Sequence, residues 1–376
     1  MRWLIFILVI LPVLTGCVTE YIPDLNEDEE LLVVEGLITD RPEENYIRIY
    51  KTYPLWSKTF RTAVKNCTVW ISDDNGRTDT LENRSEGVYV TDPDTFTGEP
   101  GRIYTLHFSA LTGDGIHNYE SLPMKMIPVP PIDTIYYERR NYVINHLPAE
   151  GCQIYFDSYD PSSQCYFYRW EYDETWEFRL PFYDTRNRVC WSSEKSSEIL
   201  IKNTSLLNES RVTRFPLKLI KNPVERLTVK YSILLTQYSL NEEEYNYWEK
   251  LGNSAQLVGG LYDIIPSTIP GNIFCLEDKL EKVLGYFSVS AVTSRRFFIS
   301  DNFIGRNGLY DECLSDVSEV FTSDPDTIEG IWQSFWILYD YTDSVPPSVI
   351  LTNRKYCGDC TSRGSNVRPS FWDDDK

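Results

Sequence analysis

With 376 residues the chain is long enough for two domains, each with a core of its own. A formal net charge of -20 argues against binding nucleic acid through phosphate neutralisation. Aromatic residues at 14% argue against disorder and favour sheets. The chain opens with Met1-Arg2, an apolar run from Trp3 to Leu14, and then Thr15-Gly16-Cys17. One cation, about a dozen apolar residues and small residues before a cysteine read as a secretory signal, because a bilayer-spanning helix needs roughly 20. Leu14-Thr15-Gly16-Cys17 fits a bacterial lipobox, which makes Cys17 the expected acylation site. The acyl chains would hold the protein at a lipid bilayer by burying CH₂ groups. Segment 1–17 is therefore read as a lipoprotein signal and 18–30, which ends Asn26-Glu27-Asp28-Glu29-Glu30, as an acidic tether.

The fold is expected to start at Leu31-Leu32-Val33-Val34, a β-branched run, followed by the alternating Tyr46-Ile47-Arg48-Ile49-Tyr50. Thr68-Val69-Trp70-Ile71 leads into Asp73-Asp74-Asn75-Gly76, where Asn-Gly suggests a type I′ hairpin. Gly87 to Val90 and Arg102 to Phe108 continue the series, so 31–127 is read as an immunoglobulin-like β-sandwich. Pro123, Pro128, Pro130 and Pro131 mark a stiff connector after it. From Ile132 to 356 a larger, aromatic-rich β domain is expected. Its centre is a strand with Tyr166, Tyr168, Trp170, Tyr172, Trp176 and Phe178 on even positions and Arg169, Glu171, Asp173, Glu177 and Arg179 on odd ones. A period of two gives one aromatic and one charged face. The aromatic face either packs on a second sheet, the commoner outcome, or lines a ligand groove. One short helix is expected, with Ser239 as N-cap, Glu242 completing a capping box, Tyr245, Trp248 and Leu251 on one side, and Gly252 as its stop.

Besides Cys17 there are eight cysteines: Cys67, Cys152, Cys165, Cys190, Cys275, Cys313, Cys357 and Cys360. An even set in an exported chain is read as disulfides, at least two of them, with pairing undetermined. Cys357-Gly358-Asp359-Cys360 has the spacing of zinc ligands, but no second such pair exists, so the tail 357–376 is expected to be pinned by disulfides. Asp73, Asn75, Gly76 and Asp79 resemble a calcium loop, yet Ile71 stands where the first carboxylate is required. The sequence contains no H-E-x-x-H, G-x-S-x-G, phosphate-binding loop or dinucleotide fingerprint. His107, His117 and His146 look isolated, and of Glu171, Glu174 and Glu177, the candidates for paired glycosidase carboxylates, Glu171 and Glu177 face away from the aromatics. No enzyme activity, cofactor or metal is expected.

Several segments together carry a resemblance. They are the lipobox with Cys17, Leu32 to Thr39, Pro131 to Ile135, Tyr172 to Glu177, Gln237 to Leu240, Gly271-Asn272-Ile273, Val283 to Phe287, and the tail from Cys357 to Phe371-Trp372. In these the chain resembles the Bacteroidota outer-membrane lipoproteins grouped as domain-of-unknown-function family 4249. The resemblance implies an outer-membrane, surface-facing location and a TonB-dependent receptor as partner in capture or import. It implies no catalytic residue. The aromatic-rich strand itself makes Tyr166, Tyr168, Trp170, Tyr172 and Trp176 candidate interface aromatics, which a structural or assembly component of an outer-membrane complex, the alternative reading, would use equally.

Overall fold

The computed structural model describes residues 30–52, 61–111, 115–144, 146–180, 187–221, 225–257 and 269–301, then 303, 310, 312–313, 318–321, 324–334, 336–339, 348–352 and 354–373. The expected signal segment, Cys17 and most of the tether lie outside the described residues. In chain order the strands are β1 (Leu31–Thr39), β2 (Tyr46–Thr52), β3 (Arg61–Ala63), β4 (Thr68–Asp73), β5 (Thr78–Thr80), β6 (Glu82–Ser85), β7 (Val88–Val90), β8 (Ile103–Leu111), β9 (Ile116–Ser121) and β10 (Met124–Lys125). They continue with β11 (Ile132–Ile144), β12 (Leu147–Asp160), β13 (Phe167–Arg179), β14 (Val189–Lys195), β15 (Leu200–Asn203), β16 (Ser210–Ile220) and β17 (Lys230–Leu240). Helix α1 (Glu242–Leu257) precedes β18 (Ile273–Cys275), β19 (Val283–Ser290) and β20 (Val292–Ile299). The C-terminal part holds β21 (Ser318–Phe321), α2 (Pro325–Ser334), β22 (Trp336–Tyr339), β23 (Ser348–Thr352) and α3 (Lys355–Gly358). The mainly β class is as expected from the alternating pattern, which β8 shows plainly as its burial alternates residue by residue.

The first sandwich packs a sheet ordered β19-β1-β2-β7-β6 against one ordered β18-β9-β8-β4-β5. Val34, Ile38, Ile47 and Ile49 from one meet Val69, Ile71, Leu106 and Phe108 from the other in a closed apolar core. This unit is not confined to 31–127, because β18 and β19 come from within the range expected for the second domain. β19 runs parallel to β1, with Leu32 opposite Val283 and Thr39 opposite Ser290. A parallel pair needs a long crossover, and here the chain between the two runs through β2 to β10 of the first sandwich and β11 to β17 of the second.

The close approach has a backbone requirement at Gly285. Its φ is +85°, and a Cβ there would stand 2.1 Å from Val34 O, so only glycine fits. Asn272 then acts as a surrogate strand residue, accepting from Phe287 N and donating to Phe287 O, both at 2.9 Å.

The second sandwich packs β11-β12-β16 on β14-β13-β17-β20, with Ile154 and Phe156 facing Trp170, Ile233 and Leu235. β13 pairs with β17 along eleven positions, from Phe167 opposite Leu240 to Glu177 opposite Lys230. The two sandwiches are joined by the proline connector and by Ala291 between β19 and β20. Ser239 fastens both, since its Oγ donates to Ile127 O and accepts from Ala291 N at 3.1 Å. Gln237 sits buried beside it, accepting from Trp170 Nε1 at 2.8 Å and donating to Pro130 O at 2.7 Å and Ser158 Oγ at 3.1 Å.

Three local expectations are corrected. Ser239 is not the N-cap, because β17 claims it through the β13 ladder. Asn241 caps instead, its Oδ1 accepting from Glu244 N at 2.8 Å, and Gly252 lies inside the helix rather than ending it. The Asn75-Gly76 turn is not type I′. Only Gly76 has positive φ, Gly76 N donates to Asp73 O at 3.0 Å and Asp73 N to Arg77 O at 3.0 Å, which is a type I turn with a glycine bulge. The charged face expected on β13 is present and is covered at both ends, as described next.

Candidate functional site

The two sandwiches leave a cleft of about 870 Å³ between them. Its walls come from β1 and β2 on one side, β13 and β17 on the other, and α1 with the start of β19 at the base. Sandwich one contributes Glu35, Arg41, Glu43 and Arg48; sandwich two contributes Arg169, Glu171, Lys195 and Tyr238.

The centre of the far wall is Arg169, an odd-numbered residue of β13. Its guanidinium lies 4.4 Å from the Tyr238 ring centroid and 4.6 Å from that of Trp248 on α1, cation–π contacts strengthened by removal from water. Arg169 also bonds Glu171, whose Oε2 accepts from Tyr238 Oη at 3.1 Å. Beneath them Glu244, in the first turn of α1, is fully buried and accepts from Trp248 Nε1 at 3.3 Å. Burial lifts its carboxyl from an ordinary 4.5 to about 7. Glu244 Oε2, Tyr286 Oη and Arg169 Nε are shielded from solvent and have no hydrogen-bond partner among the described residues. Tyr286 packs against Tyr247, with ring centroids 4.6 Å apart and the rings tilted by 32°.

The aromatic face of β13 does not contribute to a surface. Tyr168, Trp170, Tyr172 and Trp176 are buried in the second core, which removes them as interface candidates. Only Tyr166, just before the strand, is half-buried. The three carboxylates suggested for glycoside chemistry are brought to three different places. Glu171 faces the cleft. Glu174 is enclosed in the core, accepting from Tyr231 Oη at 2.7 Å and paired with Lys218 at 3.2 Å and Arg226 at 3.4 Å. Glu177 accepts from Trp372 Nε1 at 3.2 Å, under the tail.

The cysteines divide evenly. Cys190–Cys360 and Cys313–Cys357 are disulfides with Cα separations of 5.7 and 5.6 Å. The C-x-x-C pair thus binds the tail to two different partners, and Trp372 is buried against Trp191, Phe298 and Lys230. The expected minimum of two bridges is met, while Cys67, Cys152, Cys165 and Cys275, also candidates, are free. Cys152 and Cys165 are enclosed in the second core, where burial pushes both thiols up to about 12. The calcium-like turn is satisfied internally: Asp73 Oδ1 accepts from Asn75 N and Arg77 N, each at 2.9 Å, and Oδ2 takes Arg102 at 2.7 Å. His107 stacks on Trp70 and bonds Ser72 Oγ at 2.8 Å, whereas His117 is not isolated but meets Cys275 and Glu281. Sequence reading missed both that meeting and the Arg169 arrangement, because each needs residues far apart in the chain. The capping of α1 beside Glu244 was the one local signal available.

A mainly β protein of two linked sandwiches with an aromatic and charged cleft at their junction is the class that these features define. The family model described as Domain of unknown function (DUF4249) matches residues 18–296, and the chain belongs to that family. That span takes in both walls of the cleft and all of β1 to β19. No curated protein matches the chain. No helix among the described residues is long and apolar enough to cross a membrane.

Proposed function

We propose that the chain is an exported lipoprotein, anchored at the outer membrane through Cys17, that binds rather than turns over its target and works beside a TonB-dependent receptor. The observation that carries the binding reading is the junction cleft. It presents Arg169 held between two rings and side chains of both signs of charge to a space large enough for an extended polar ligand. Tyr and Trp at such a position supply contact area at low entropic cost. The lipobox and acidic tether support the anchoring, and the family resemblance supports the receptor.

The test is co-purification of the full-length chain with outer-membrane barrels in mild detergent, repeated with Arg169→Ala and Trp248→Ala. A barrel receptor retained by the wild type and lost in both variants, with their folds intact, is the expected result. A chain that retains no barrel but converts a glycan or peptide, and loses that activity on Glu171→Gln, would reverse the reading. Labelling with a fatty-acid probe that disappears in Cys17→Ser tests the anchor separately.

A further inference from the structure

On the opposite side of the first sandwich, the short strand β18 closes the edge of its sheet against β9. Cys275 stands across from Tyr119, and Leu276 N donates to Asn118 O at 2.8 Å. This pairing and the turn that follows bring three unlike donors together from two distant parts of the chain. His117 Nδ1 lies 3.7 Å from Cys275 Sγ and 3.6 Å from Glu281 Oε2, and one donor atom of each residue lies within 4.8 Å of the others. Glu277 Oε2 is 3.6 Å from the same sulfur.

We propose that His117, Cys275 and Glu281 form a binding site for a divalent transition metal, zinc before others, with Glu277 or a water as fourth ligand. The spacing carries the argument. Zinc bonds of about 2.3 Å to sulfur and about 2.0–2.2 Å to nitrogen and oxygen set neighbouring donors of a tetrahedron roughly 3.3–3.6 Å apart. The two separations from His117 Nδ1, 3.7 and 3.6 Å, are within a few tenths of an ångström of that, and the sulfur and the Glu281 carboxylate lie within 4.8 Å of each other. A direct charge-assisted hydrogen bond between imidazole and carboxylate would instead close to about 2.7–2.9 Å. The 3.6 Å gap between Nδ1 and Oε2 is too wide for that bond and suits a shared ion.

The surroundings fix the ligands as metal sites require. Tyr119 Oη donates to Glu281 Oε1 at 2.9 Å, leaving Oε2 to the imidazole. Asp278 N donates to the Cys275 sulfur at 3.4 Å. Asn118 holds both oxygens of Glu277 at 2.8 Å. Next to the cluster a cavity of about 190 Å³, lined by His117, Tyr119, Glu281 and Lys51, gives an entry path. The donor set of one sulfur, one nitrogen and carboxylate oxygen favours zinc over the hard cations magnesium and calcium. Burial alone raises the Cys275 thiol, but a bound dication displaces its proton to solvent, so affinity falls as pH falls.

The experiment uses the full-length chain in mild detergent with its disulfides intact, and cobalt(II) as the optical probe for zinc. A thiolate-to-cobalt charge-transfer band that saturates at one metal per chain and is abolished by zinc is expected. Cys275→Ser should remove the band, and His117→Ala and Glu281→Gln should each weaken zinc binding tenfold or more. Cys67→Ser should leave the band intact. Zinc should raise the melting temperature of the wild type but not of these three ligand variants. Glu281→Gln perturbs the least buried of the ligands, so it keeps the test decisive if Cys275→Ser fails to fold. Absence of the band in a wild type whose Cys275 is demonstrably reduced, or a band that persists in Cys275→Ser, overturns the proposal.

Discussion

Glu244→Gln probes how the cleft is built. In the folded chain the carboxyl is fully buried and protonates near pH 7, against 4.5 for an ordinary glutamate. Because the folded pKa is raised, the folded state keeps a proton that the unfolded chain has already released. Stability is therefore highest below the unfolded value, falls as pH rises through the window from about 4.5 to about 7, and stays low above it. A displacement of that size corresponds to about 3 kcal/mol, of which about 2 to 3 kcal/mol is lost between pH 5 and pH 8. Glutamine cannot ionise and keeps an acceptor for Trp248 Nε1, so the variant escapes this loss. Urea unfolding followed by tryptophan fluorescence at both pH values gives the comparison. The stability of the variant relative to wild type should rise by about 2 to 3 kcal/mol from pH 5 to pH 8. A relative stability that does not change across that range would show that the carboxyl reaches water or a cation in solution, and the account of a closed cleft floor would be wrong.

Gly285→Ala should cost about 3 kcal/mol or more, through positive φ and collision with Val34 O; a melting temperature within a degree of wild type would contradict the β1–β19 register. Gln237→Leu strands Trp170 Nε1 and Pro130 O in the interior and should cost about 2 to 5 kcal/mol, read by chemical denaturation, whereas a neutral result would mean water replaces the amide. Replacing Cys190 and Cys360 together by alanine should lower stability by about 2 to 4 kcal/mol and shift the emission of Trp372 as the tail loosens; unchanged protease resistance of the tail would argue against its docking. Counting from Cys67 onward, the denatured chain should show four thiols before reduction and eight after it, and eight before reduction would contradict both bridges.

The strands of the first sandwich were legible because each has one wet and one dry face, which prints a period of two into Ile47, Ile49, Leu106 and Phe108. β13 misled for the complementary reason. Both of its faces are covered, yet one is covered by charge, since Arg169 lies between rings and Glu177 lies under Trp372. A pattern of alternating charge does not distinguish burial with partners from exposure. The start of the helix was placed within two residues but its end was not, since it runs past Gly252 to Leu257, and the choice between Ser239 and Asn241 as cap is settled by β17, which no capping rule sees. Disulfide presence was readable from an even cysteine count, while pairing depends on which thiols the sheets bring within reach. The fates of Cys275 and His117 were hidden for the same reason: 158 residues separate them.

The parallel pairing of β1 with β19 sets a timetable for the chain. β1 leaves the ribosome, and any export channel, long before its neighbour Val283–Ser290 does. Until then β1, with the apolar Val33 and Val34, has only β2 beside it and its other edge stays open, while β11 to β17 of the second sandwich can already pair within 132–240. Long-range pairings of this kind are slow, because the intervening loop must be ordered first. The sandwich that starts first in sequence thus waits for β18 and β19, and the second waits for β20. An open strand edge invites pairing with another molecule in the interval, so a fragment stopping near residue 270, which leaves β1 without β19 and β17 without β20, should aggregate through those edges.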